Sequence, residues 1–228
     1  MKILAIGNSI TLGLPGISYV EFLKPYEVDN FGKAGDTITG IYNRLLKIEI
    51  NNYDLILIEG GGNDILLPIF YEERPLWRKV INNIINSGSE PVNDIEEYIL
   101  IWNNIYSFCK SRNLRMIVIS NPVLGEDINT TYNKIVIEFN NKLKNFCKNN
   151  KIEYIDFFSW QAKNLSGNSK LMTNTPVDVE KDGYIKNIEE IDKLSKQRNY
   201  SLTIDGVHFN SFSARTLANM IKAKIINE

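Results

Sequence analysis

Asp54-Leu55-Ile56-Leu57-Ile58-Glu59-Gly60-Gly61-Gly62-Asn63-Asp64 is the stretch whose reading decides the fold. A short, nearly continuous apolar run halted by three glycines is too brief for a helix and reads as a buried strand. The same form recurs upstream at Ile3–Ile6, which ends in Gly7, and more weakly at Glu27–Phe31, closed by Gly32 and Gly35. It recurs downstream at Leu114–Ser120, stopped by Asn121-Pro122, and at Ile152–Phe157. Helical patterns separate these runs. Ser18–Lys24 reads as a short helix, and Ile38, Ile41, Leu45 and Ile48 share one helix face over Ile38–Ile48. Asp94–Lys110, Tyr132–Lys148 and Ser213–Ile226 supply longer amphipathic helices.

Strands alternating with helices predict right-handed βαβ units and a parallel sheet covered on both faces. The expected class is therefore α/β, a three-layer αβα sandwich of flavodoxin-like form with about five parallel strands. The 228 residues suit one domain, 1–228. Two stretches exceed the minimal alternation, about 66–92 and about 161–202. Both follow the C-terminal end of a strand, the edge where open α/β sheets bind ligands, and both are read as pocket walls.

Composition narrows the function. Apolar residues make up 43% of the chain, enough for a packed core. The net charge is −1 and no basic stripe occurs, so neither nucleic acid nor an anionic membrane is expected as a partner. No apolar run approaches the roughly 18 residues of a transmembrane helix. Met1–Ile6 is too short for a signal peptide, and a cytoplasmic location is the expectation. Cys109 and Cys147 each fall within an amphipathic helix, where a buried free thiol is expected. With a single histidine in the chain they cannot complete a standard zinc site. There is no G-x-S-x-G elbow, no phosphate-binding G-x-x-x-x-G-K-[ST] and no G-x-G-x-x-G, which disfavours an α/β-hydrolase and a nucleotide-binding module.

That one histidine lies in Asp205-Gly206-Val207-His208. Histidine trades a proton near neutral pH, and a carboxylate three residues earlier can fix its tautomer. Ser9 follows the first strand in Gly7-Asn8-Ser9-Ile10-Thr11, Gly35 follows the second, and Asn63 follows the third. In a parallel sheet these loops emerge on one edge. Acyl transfer needs a nucleophile, a base, an orienting group and oxyanion donors. Ser9, His208 and Asp205 fit the first three, and the Ser9 N–H, the Gly35 N–H and the Asn63 side-chain amide fit the last. Each residue has a plainer reading too. Ser9 could cap a helix, Gly35 could serve a turn, Asn63 could occupy a left-handed position, and Asp205-Gly206 could be a simple turn.

Taken together, Gly7-Asn8-Ser9-Ile10-Thr11, Gly35-Asp36-Thr37, Gly61-Gly62-Asn63-Asp64 and Asp205-Gly206-Val207-His208 resemble the four blocks of the SGNH hydrolase superfamily, the GDSL-type esterases and lipases. The resemblance implies Ser9 as nucleophile, His208 as base, Asp205 as its orienter, and Ser9, Gly35 and Asn63 as the oxyanion hole. It implies no metal and no organic cofactor. The departure is Asn8, where the family has an aspartate. An amide can still bond the turn backbone but carries no charge. The implied activity is hydrolysis of a small-molecule or glycan ester, and the lack of a long apolar segment to hold a fatty chain favours a short acyl group, acetyl, on a carbohydrate-like alcohol. Phe70, Tyr71, Trp77, Trp160 and Tyr184 are the aromatic residues expected near such a substrate. Lysophospholipase or thioesterase activity, O-acyl transfer by the same residues, and a non-catalytic carbohydrate-binding relic are the alternatives. Nothing in the pattern sets an oligomeric state.

Overall fold

Five parallel strands form one sheet in the order β2-β1-β3-β4-β5. They are β1 (Lys2–Gly7), β2 (Glu27–Gly32), β3 (Leu55–Glu59), β4 (Arg115–Ile119) and β5 (Glu153–Ile155). This computed structural model describes residues 1–165 and 175–226. The strand order is that of a flavodoxin-like sheet, with its topological switch between β1 and β3. Period-two alternation divides the strand side chains between two cores. Leu4, Ile6, Ile56, Ile58 and Val118 face one cluster, and Ile3, Ala5, Leu55, Leu57 and Ile117 face the other.

The first cluster is covered by α2 (Ile38–Leu45), α3 (Gly62–Glu73), α5 (Ile95–Lys110) and α6 (Thr131–Asn149). The second is covered by α7 (Phe157–Asn164) and α10 (Ser211–Ile226). The three layers are thus those expected from the alternation of apolar runs. Shorter helices complete the described residues: α1 (Ser9–Leu12), α4 (Arg78–Asn86), α8 (Pro176–Asp182) and α9 (Ile188–Gln197). No helix among the described residues is long and apolar enough to cross a membrane. Cys109 and Cys147 are free and buried, and burial pushes both thiols up to about 12.

Three elements differ from the sequence reading. Ser18–Lys24 is not an α-helix. Only Tyr19–Phe22 forms a 3₁₀ turn, opened by Ser18, whose Oγ accepts from the Val20 N–H, and followed within three residues by Pro25. α2 stops at Leu45, because Lys47 and Ile48 donate back only three residues in tight turns. β5 ends at Ile155 rather than Phe157. Asp156 accepts from the Ser159 N–H and caps α7, so Phe157 opens a helix and stacks on Trp160 at 5.2 Å.

The stretch 66–92 contains the rest of α3, a 3₁₀ turn at Pro75–Trp77, and α4. The stretch 161–202 contains the end of α7, then α8 and α9, with residues 166–174 outside the described residues.

Candidate active site

Ser9 and Asn63 follow the two strands that flank the topological switch, where the chain leaves the sheet in opposite directions and opens a crevice. Ser9 is the first residue of α1 and is 7% exposed. It is not the helix cap. That role falls to Asn8, whose Oδ1 accepts from the Ile10 N–H at 2.8 Å. The cap frees the Ser9 hydroxyl for another partner, and His208 Nε2 lies 3.0 Å from Ser9 Oγ.

The other ring nitrogen, His208 Nδ1, is 2.7 Å from Asp205 Oδ2. Asp205 Oδ1 accepts from the backbone N–H groups of Val207 and His208, closing the loop on itself. Burial pushes the Asp205 carboxyl up, but the His208 charge, its ring hydrogen bond and these two N–H donors outweigh it and hold it below the usual carboxylate range. An ionised carboxylate only accepts, so Nδ1 carries a proton, and when the ring is neutral its Nε2 lone pair faces the Ser9 hydroxyl. The positions 199 residues apart are thereby joined in one line.

Gly35 occupies a left-handed turn (φ +74°) between β2 and α2. A Cβ there would come within 2.6 Å of Ile84 Cδ1, so α4 packs directly on this turn. Asp36 anchors the turn. It is fully buried, pairs with Arg44, and accepts from Ser89 Oγ. Arg44 also donates to the carbonyls of Gly7 and Phe31, tying the turn to the ends of β1 and β2.

Asn63 lies in the first turn of α3, and its Nδ2 donates to the Asp36 carbonyl at 2.8 Å. That bond fixes the amide orientation and leaves its second N–H available. Gly61 (φ +123°) precedes α3, and a Cβ there would lie 2.6 Å from both Asn121 Oδ1 and Tyr98 Oη. Asp64 Oδ2 accepts from the Ile38 N–H and Oδ1 from the Val92 N–H. Burial pushes Asp64 up to about 7 despite those donors.

Ser9, Gly35, Asn63, Asp205 and His208 line one cavity of about 590 Å³. Its remaining walls are mainly apolar. Leu66, Leu67, Phe70, Val80 and Ile84 come from the stretch 66–92, and Val179 and Tyr184 from the stretch 161–202. Of the aromatic residues expected near a substrate, Phe70, Trp77 and Tyr184 line this cavity. Tyr71 and Trp160 do not, and Trp160 instead packs between Phe157 and Phe212. Among the described residues no three His, Cys, Asp or Glu side chains gather as metal ligands.

Two buried acids that support the site were not singled out from the sequence. Glu126 accepts from the N–H groups of Ser201, Leu202 and Thr203 and from two of their hydroxyls, fixing the strand of chain that leads into Asp205. Glu59 accepts from Asn8 Nδ2 beneath the Ser9 turn. The one sequence signal for either is an acid embedded in an apolar segment, which is also what a strand or loop end looks like.

The family model described as GDSL-like Lipase/Acylhydrolase matches residues 3–221. No curated protein sequence matches the chain. Among solved structures, an acetyl xylan esterase superposes with a TM-score of 0.67 at 15% identity, covering 99% of this chain and 100% of that one. An acetylxylan esterase from Geobacillus stearothermophilus gives 0.65 at 16% identity, covering 100% and 94%. A GDSL-like lipase from Bacteroides thetaiotaomicron gives 0.61 at 16% identity, covering 99% and 88%. At these identities the superpositions establish the fold.

Proposed function

The chain belongs to the GDSL-like lipase/acylhydrolase family, and on that premise we propose that it cleaves carboxylic esters through an acyl-enzyme formed on Ser9. It is a hydrolase acting on ester bonds. The observation that carries the finer reading is the line Asp205 Oδ2 to His208 Nδ1 to Ser9 Oγ, at 2.7 and 3.0 Å.

In this reading Ser9 Oγ bonds to the ester carbonyl carbon as its proton passes to His208 Nε2. Asp205 keeps the ring upright and stabilises the imidazolium. The carbonyl oxygen, now an oxyanion, accepts from the Ser9 N–H, the Gly35 N–H and Asn63 Nδ2. The C–O bond to the alcohol breaks, and the departing oxygen takes the proton from Nε2. Water then attacks the acyl-enzyme, gives its proton to Nε2, and the carboxylic acid leaves as Ser9 regains its hydrogen.

For the substrate we favour an acetyl group on a carbohydrate-like alcohol. Two structurally similar proteins bear the name acetylxylan esterase, and the aromatic faces of Trp77 and Tyr184 on the cavity are suited to stack on sugar rings. A second reading, a lysophospholipid or acyl thioester, is favoured by the apolar lining from Leu66, Leu67, Phe70, Val80 and Ile84.

The test is a series of p-nitrophenyl esters assayed with the parent enzyme, S9A and H208A. Both variants are expected to lose at least about 10³-fold in kcat. Equal rates in all three would remove Ser9 and His208 from the mechanism. Acetate should be preferred to octanoate, and the opposite preference would replace the acetyl reading with the second one.

A further inference from the structure

The turn that carries Ser9 is held from beneath by a carboxyl group that the proposed mechanism does not use. Glu59, the last residue of β3, is 1% exposed. Its Oε1 accepts from Asn8 Nδ2 at 3.0 Å, while Oε2 is buried without a hydrogen-bond partner. Asn8 Oδ1 accepts in turn from the Ile10 N–H at 2.8 Å. Both ends of the Asn8 amide are therefore committed, one to β3 and one to the first turn of α1. Ser9 sits between those two attachments.

This explains why the position takes an amide. A residue here must accept from Ile10 and donate to Glu59, and a carboxylate cannot do the second. An aspartate at position 8 would set two carboxyls at hydrogen-bond distance, where both cannot ionise together. The helix behind the nucleophile is only four residues long, so it gives Ser9 little rigidity of its own. The fixed points are the end of β1, the Asn8 cap and the Glu59 carboxyl to which that cap is tied.

We propose that Glu59 is a positioning residue for Ser9, acting through Asn8. The proposal rests on the reading of Ser9 as the nucleophile. Other titratable groups surround the pair. Asp64 from α3 adds negative charge near Glu59, and the Tyr19 and Tyr98 hydroxyls, both raised by burial, feel its charge from the Tyr19–Phe22 turn and from α5. Burial, with Asp64 adding to it, pushes Glu59 up to about 7 against the hydrogen bonding from Asn8. Ionisation of Glu59 near neutral pH is what makes a second carboxylate at position 8 damaging there.

The test is an exchange of the two groups in the full chain, with E59L, E59Q, N8D and N8D/E59Q. Turnover is expressed per site titrated by a fluorophosphonate, and S9A serves as the blank. E59Q keeps the acceptor facing Asn8 and should fall about threefold at most, whereas E59L leaves the amide unanchored and should lose about 10–100-fold in kcat with little change in KM. N8D should lose about 10–100-fold at pH 8 and less at pH 6, and N8D/E59Q should regain at least about tenfold at pH 8, because the glutamine amide can donate to the new carboxylate. A merely structural role would alter the number of titrated sites and leave kcat per site unchanged. If E59L does not fold, the comparison of N8D with N8D/E59Q decides. An exchange that recovers nothing, or E59L with parental kcat per site, would overturn the proposal while an inactive S9A leaves the nucleophile intact. Full turnover in S9A would overturn both.

Discussion

The C-terminal loop Asp205–His208 and the end of β3 at Glu59–Asp64 both present buried acids to the same edge of the sheet, yet the acids behave oppositely. Asp205 is held below the usual carboxylate range, whereas Glu59 and Asp64 are pushed up to about 7. All three suffer desolvation. The difference is the partner: Asp205 has an ionisable imidazole at 2.7 Å in addition to N–H donors, while Glu59 and Asp64 have amide donors alone and stand near further acids. Burial by itself does not decide whether a carboxyl is charged. An adjacent base does, and in the proposed mechanism the acid given one is the acid beside which charge would develop.

The largest expected effect comes from making one chemical change in both regions. D205N should lower kcat/KM by about 10³–10⁴-fold, because an amide cannot stabilise the imidazolium, whereas E59Q should stay within about threefold. Comparable losses in steady-state assays would break the distinction between a charged and a scaffolding acid. The next effect is on stability. D64A leaves the Ile38 and Val92 N–H groups without their acceptor and should cost about 2–4 kcal/mol in denaturant unfolding. A change below about 0.5 kcal/mol would show that Asp64 does not fasten α2 to the stretch 66–92.

The smallest effect concerns pH. Glu59 and Asp64 have folded-state values above their unfolded ones, so the stability they contribute is complete below about pH 4 and is lost as pH rises through about 7. Asp205 has the opposite sign, and its contribution is present above its unfolded value and lost in acid. The melting temperature should therefore fall by roughly 3–8 °C between pH 5 and pH 8, and E59Q should flatten part of that slope. A melting temperature that rises over this range would reverse the assignment.

The sequence carried the regular elements well where local signals agreed with packing. The helix read over Asp94–Lys110 is α5 with Asp94 as its cap, and the glycines after Glu59 end β3 where the apolar run ends. It failed where a side chain outside the run set the boundary. Asp156 caps α7 and takes Phe157 out of β5, and Ser18 with Pro25 limits the following turn to 3₁₀. At the site, the Asp-x-x-His spacing and the serine after β1 could be read directly. That Asn8 rather than Ser9 caps α1 could not, since either side chain suits a cap. Glu126 was equally hidden, because its partners at Ser201, Leu202 and Thr203 lie some 75 residues on.

The chain alone determined the parallel sheet, the covering helices and the residues able to carry acyl chemistry, because periodicity and residue type are local properties written along it. Only the folded arrangement decided which of those residues meet. The distance from residue 9 to residue 208, the charge left on each buried acid, and the closing of the cavity by two remote stretches all arise from contacts between strands of the chain that lie far apart in order. Such contacts follow from the shared edge of the sheet, and no short window of sequence contains them.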